Sequence, residues 1–428
     1  MNNADIGWML VSTALVLLMT PALGFFYGGM VRAKNALNTI MMSVMSLGPV
    51  TVLWALIGYS LAFAPGSPVV GGLSFAGLNG VGLQAQGTIP HALFMAFQGT
   101  FAIITAALIS GAIVERMRFG AYLAFIMAWM VVVYAPVAHW VWGGGFLASA
   151  GALDFAGGAV VHVNAASAAL VAAMVVGPRK DYGRQAILPH NVPFTLLGAG
   201  LLWFGWFGFN AGSALGATPI AALAFVNTML APSATLAVWT VLDLVRGGRV
   251  TAIGAATAIV VGLVAVTPAA GYIAPLSSLA LGAIAAVPSY FALILRARTK
   301  LDDSLDVVAA HGVGGATGAL LTGVFADAAW SGGASGLMSG NAGQILTQLY
   351  SVAAVLAYSG AATFVILKLI AVVMPLRSTG RTEGVGLDVT DHGEEAYTAG
   401  DGAILIPPAG IAARTAIESA PLREGAAS

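Results

Sequence analysis

The sequence predicts an all-α membrane protein of eleven transmembrane helices, built as a 5+5 inverted repeat plus a final helix, with its N-terminus outside and its C-terminus inside. Three observations carry this. Of 428 residues, 59% are apolar and 8% charged, against roughly 25% charged in ordinary globular domains. Apolar runs of bilayer-spanning length, about 20 residues, occur eleven times. Basic residues occupy every second connecting segment and are missing from the others.

The runs lie near residues 6–30, 38–63, 91–113, 119–142, 155–176, 193–213, 219–242, 251–270, 275–295, 305–325 and 347–374. Glycine contributes 55 residues, and small residues let membrane helices approach closely where no hydrophobic force draws them together. The first connection holds Arg32 and Lys34, the third Arg116 and Arg118, and the fifth Arg179, Lys180 and Arg184. The seventh holds Arg246 and Arg249, and the ninth Arg296, Arg298 and Lys300. The even connections, near 64–90, 143–154, 214–218, 271–274 and 326–346, contain no Lys or Arg. Because cytoplasmic loops collect positive charge, this parity orients the chain. No Lys or Arg precedes the first run, so it lacks the basic flank of a cleaved signal and is expected to stay in the mature protein. A transmembrane domain over 1–375 is expected to be followed by a cytosolic tail over 376–428, which has eight acidic and four basic residues. The absence of Cys excludes disulfide and thiolate chemistry, and a formal net charge of zero argues against a nucleic-acid partner.

Runs 1–5 and 6–10 share landmarks. "GFFYGG" in run 1 answers "GWFGFN" in run 6, and "DFAGGAVVH", starting at Asp154, answers "DVVAAH", starting at Asp306. A five-helix unit repeated once is inserted upside down the second time, an arrangement that places a shared site near the midplane. His162 lies in Phe155–Val176, which has no charge and only Asn164 and Ser167 as further polar residues. At about 1.5 Å per residue, His162 is roughly 12 Å from its helix start and His311 at least about 7 Å. Both therefore point to the middle of a core about 30 Å thick, and the two imidazoles are predicted to share one site. Ionisable groups at that depth usually mark function, though a lone His also serves as an interhelical hydrogen-bonding residue. Asp154 stands where a helix cap belongs, so a structural role competes with a functional one. Singly, Phe97, Phe101, Trp142, Trp206 and Phe209 read as core or lipid-facing residues. Topology nevertheless maps Phe101, Trp142, Asp154, Phe209 and Ser213 to the outer side, where ring faces, a hydroxyl and a carboxylate suit a small cation.

The segments "PALGFFYGGMVRAKN", "HWVWGGGFLASAGALDFAGGAVVHVNAA", "PHNVPFTLLGAGLLWFGWFGFNAGSA", "AFVNT", "DDSLDVVAAHGVGG" and "GLDVTDHGEEAY" span residues 21 to 397. Together they resemble the ammonium transporter, methylammonium permease and Rhesus family, and Trp142 makes the likeness closer to the bacterial ammonium transporters. The resemblance implies an external recognition site at Phe101, Trp142 and Ser213, and an aromatic gate of Phe101 with Phe209. It also implies twin pore histidines, His162 and His311, and an essential acid at Asp154. The implied activity is ammonium uptake across the cytoplasmic membrane by a homotrimer without enzymatic activity, cofactor or metal, regulated by a cytosolic PII-type protein. The chain departs from the family at Val308, Ala309 and Ala310, where Phe-Gly-Val is usual, which bears on pore width beside His311. "GLDVTDHGEEAY" reads as a solvated tail or, by resemblance, as a coupler of subunits. Rival readings are a membrane metalloprotease, for which no H-E-x-x-H motif exists, an ammonium sensor of the same fold, and a Rhesus-like gas channel.

Overall fold

The computed structural model describes residues 1–397, and it is overwhelmingly helical; the rest of the expected tail, 398–428, lies outside the described residues. The helices are α1 (Asn3–Met30), α2 (Ala33–Phe63), α3 (His91–Ala112), α4 (Phe119–Ser149), α5 (Gly158–Val176) and α6 (Val192–Gly212). They continue as α7 (Pro219–Gly247), α8 (Ala252–Val266), α9 (Pro275–Arg296), α10 (Val308–Phe325) and α11 (Gly343–Val373). Ten are long and apolar enough to cross a membrane; the exception, α8, has 15 residues. The eighth apolar run continues beyond it, but the helix ends just before Pro268, which has no N–H for the next helical hydrogen bond.

Local chemistry sets the helix starts. Asn2, Asn191, Thr218 and Thr251 accept backbone N–H groups at the starts of α1, α6, α7 and α8, satisfying donors that have no partner within the helix. Prolines open α6, α7 and α9, where the missing N–H costs nothing. Large apolar side chains such as Phe225, Leu276, Phe291 and Leu369 face outward from α7, α9 and α11, as a hydrocarbon solvent requires. Inside, α1 packs along α6 so closely that a Cβ on Gly198 would lie 2.3 Å from the Phe26 nitrogen. Likewise a Cβ on Gly282 of α9 would meet the Ala231 carbonyl of α7 at 2.1 Å. Only glycine fits at these crossings.

The helices that carry the two histidines begin alike. Gly158–Val163 opens α5 and Val308–Val313 opens α10, both as π-helix, a rare, wider turn that is frequent at functional sites.

One face of the bundle collects the basic connections. Glu115, fully buried, accepts from Arg32 Nε at 2.9 Å, Arg179 Nη1 at 2.6 Å and Asn35 Nδ2 at 2.8 Å. Arg179 also grips Asp302 through Nε and Nη2 at 2.9 and 2.8 Å. Residues 376–397 lie across this face. Asp388 accepts the backbone N–H of Leu37 and Asn38 at the start of α2, and Lys34 donates to the carbonyls of Glu383 and Gly384. Tyr397 bonds His190 at 2.9 Å. The opposite face, where the chain begins, carries Asp5, Asp154 and Asp327 and, among the described residues, no Lys or Arg.

Candidate functional site

Aromatic spacing on α3 builds the entrance at the N-terminal face. Phe94, Phe97, Gln98 and Phe101 recur at steps of three and four, one helix face. A vestibule of about 280 Å³ lies there, lined by Gln98, Phe101, Trp142, Phe155, Ser213 and Leu215 among others. Trp142 stands perpendicular to Phe101, ring centroids 5.9 Å apart, and its indole N–H donates to the Asp154 carbonyl at 2.9 Å. Ser213 donates to the Phe209 carbonyl at 2.8 Å, which leaves its oxygen lone pairs free to accept. Gln98 escaped the sequence reading; its place one turn before Phe101 was the available signal.

The vestibule floor is a pair of stacked rings. Phe101 and Phe209 lie 4.2 Å apart at 25°, each 1% exposed, and Phe97 packs behind Phe101 at 5.0 Å. Beneath them Phe209 and Trp206 stack on the His162 ring at 6.1 and 5.4 Å. Trp206 is itself pinned by an indole hydrogen bond to Thr267 Oγ1 at 2.9 Å.

The two histidines meet, as their depth predicted. Their Nδ1 atoms are 3.2 Å apart and their rings 5.2 Å, so one neutral ring donates while the other accepts. His162 Nε2 is buried and has no partner among the described residues. The rings border a void of about 10 Å³ whose other walls include Met19, Leu23, Phe26 and Trp206, close to the smallest space that holds one water-sized molecule. On the far side of His311 a cavity of about 210 Å³ opens toward the basic face, lined by Trp239, Asp243, Tyr290, Asp306 and Ala310. The small Ala310, at the site of the departure noted in the sequence, leaves this side of His311 open.

Asp154 is 5% exposed and accepts four backbone N–H groups, Gly157 and Gly158 on Oδ1 and Ala159 and Val160 on Oδ2, at 2.6–3.0 Å. These bonds fill the acceptor capacity of an ionised carboxylate and fix the π-turn that presents His162. Its structural counterpart is Asp303. Pairing Asp154 with Asp306 was wrong: Asp303, fully buried, accepts Val307 and Val308 N–H at 3.1 and 2.7 Å. Asp306 instead has φ +60° and pairs with Arg296, because it lies inside the turn that Asp303 caps. The spacing contained the answer, since Asp154 precedes His162 and Asp303 precedes His311 by the same eight positions.

The sequence pattern of the Ammonium Transporter Family matches residues 7–397. The chain belongs to that family. The ammonium transporter of Bacillus subtilis (strain 168) is 48% identical over 402 residues, 93% of this chain and 99% of its own. Among solved structures of the family, the crystal structure of Candida albicans Mep2 gives a TM-score of 0.82 at 38% identity, covering 86% of this chain and 84% of that one. A structure described as a sensor Amt protein gives 0.85 at 28% identity, over 91% and 98%. Family membership and the ten spanning helices make this ammonium transporter family member a multi-pass membrane protein.

Proposed function

We infer that the chain carries ammonium into the cell across the cytoplasmic membrane, recognising the cation in the vestibule and passing neutral ammonia along the two histidines. The observation that carries this reading is the sequence of spaces: an aromatic vestibule, a closed ring pair, a void for one small molecule at an unpaired imidazole nitrogen, and a second cavity. An intact cation in such an apolar passage faces a penalty of about 3 kcal/mol or more. Ammonium has a route that potassium lacks, because it can leave its proton behind. Trp142 and Phe101 would hold the cation by their ring faces and Ser213 by accepting a hydrogen bond. Phe101 and Phe209 would exclude hydrated ions, and the joined imidazoles would offer ammonia an acceptor and donors along a dry path.

The geometry favours a structural and electrostatic role for Asp154 over a proton-carrying one, since its oxygens are filled. The matching starts of α5 and α10 support the inverted repeat of five helices and, with the basic face turned to the cytosol, eleven crossings with the N-terminus outside. A membrane domain over 1–375 would then carry the tail 376–428 on its cytosolic side. In this reading the protein works as a homotrimer without enzymatic activity, and a PII-type regulator docks where residues 386–397 lie against α2 and the start of α4. The rival metalloprotease lacks support, because among the described residues no three His, Cys, Asp or Glu side chains gather as metal ligands.

The test is methylammonium uptake by vesicles containing the purified protein. Replacing both histidines, His162→Ala with His311→Ala, should reduce uptake to that of empty vesicles. Unchanged uptake in that double variant would remove the imidazole pair from the mechanism.

A further inference from the structure

Asp5 sits in the first turn of α1, on the face that among the described residues lacks Lys and Arg, yet only 6% of it is exposed. An acid there is ordinarily a partner for the positive end of its own helix and stays in water. Asp5 instead reaches across the fold, and its Oδ1 accepts the Ala217 N–H at 2.8 Å. Among the described residues its carboxylate has no other hydrogen bond and no cationic partner. The segment it contacts carries part of the vestibule wall.

That segment, the turn from Ser213 to Thr218, is under strain. Leu215 has φ +57°, in the left-handed region, a conformation that costs a non-glycine residue on the order of 1 kcal/mol and persists only where its surroundings hold it. Within the turn, Leu215 N–H bonds the Gly212 carbonyl and Thr218 N–H the Gly216 carbonyl. Asp5 lies flat against the next residue: a Cβ on Gly216 would come within 2.8, 2.9 and 3.2 Å of its Oδ1, Cγ and Oδ2. One turn further along α1, the Trp8 indole donates to the Ala211 carbonyl at 3.2 Å, a second tether, to the last turn of α6 just before that segment. Both Ser213 and Leu215 line the vestibule.

We propose that Asp5 is a positioning residue of the recognition vestibule, whose bond to the Ala217 N–H holds the strained turn that presents Ser213 and Leu215 to the cation. This rests on the vestibule reading above and extends it to a residue outside the cavity. The charge is incidental to the role; the acceptor oxygen and the flat fit against Gly216 are what hold the turn.

The test is the concentration dependence of methylammonium uptake in vesicles, corrected for protein content. Asp5→Ala should raise the half-saturating concentration about fivefold, the worth of one hydrogen bond, with a smaller effect on the maximal rate. Asp5→Asn keeps the acceptor and should stay within about twofold of the unmodified protein. Gly216→Ala pushes the carboxylate away from the opposite side and should reproduce Asp5→Ala, so the test stands even where Asp5→Ala fails to fold. Unchanged half-saturation in Gly216→Ala, or an Asp5→Asn variant as impaired as Asp5→Ala, would overturn the proposal. Ser213→Ala in the same assay separates the two levels. If it leaves half-saturation unchanged while Asp5→Ala raises it, the vestibule reading fails; if it raises half-saturation and Asp5→Ala does not, only the role of Asp5 fails.

Discussion

At the scale of single residues, selectivity depends on where charge is tolerated. Trp142 offers the widest ring face in the vestibule, and cation–π attraction is worth about 1 to 2 kcal/mol in a partly desolvated site. Trp142→Leu should therefore raise the half-saturating ammonium concentration roughly tenfold and weaken discrimination against potassium, as competition by potassium in uptake assays would show. Unaltered competition would shift recognition to Gln98 and Ser213. The sequence pointed to His162 and His311 through their depth in apolar runs, and to Phe101, Trp142, Phe209 and Ser213 through topology and the family resemblance, since singly such rings read as core residues. Gln98 left only its place one turn before Phe101 as a signal, and Asp5 left none. Their side-chain types are ordinary, and what gives them meaning, a shared cavity and a bond 212 positions away along the chain, exists only once the chain is folded.

At the scale of elements, the two histidine-bearing helices depend on the carboxylates that start them. Asp303 accepts two N–H groups in a fully buried place, so Asp303→Ala leaves those donors unsatisfied at a cost of about 1 to 3 kcal/mol each. The variant should unfold several degrees earlier and lose uptake, with uptake falling further than abundance in the membrane, because the turn that presents His311 is loosened. Equal unfolding temperatures would mean that the turn holds itself. The sequence read the helices well, since long apolar runs admit few alternatives. It matched Asp306 to Asp154 because the motif around Asp306 imitates the one around Asp154 in wording but not in spacing. Reading by apolar runs also passed over the end of α8 at Val266, which Pro268 marks inside a run that hydropathy alone leaves unbroken.

At the scale of the whole molecule, the basic face is held together by buried charge. Burial alone would raise the Glu115 carboxyl, but Arg179 and Arg32 outweigh it and hold it below the usual carboxylate range. Asp302 is likewise pulled down against its burial by Arg179, with Arg116 adding to the effect. Groups whose folded values are depressed stabilise the fold above their unfolded values, about 4, and that contribution is lost as pH falls through the folded values. Glu115→Gln combined with Asp302→Asn should therefore lower the unfolding temperature of the purified chain at pH 7, and the gap to the unmodified protein should close at pH values below about 4. A gap that persists in acid would assign the loss to packing. The parity of Arg and Lys made this face readable from sequence as a surface, while its pairing, which joins connections far apart in the chain, was not. The account as a whole stands on passage of a substrate that can shed its proton and exclusion of one that cannot. Vesicles containing the purified protein should take up methylammonium faster than empty vesicles while admitting rubidium no faster than empty vesicles do. Methylammonium entry at the empty-vesicle rate, or rubidium entry equal to it, would contradict the account.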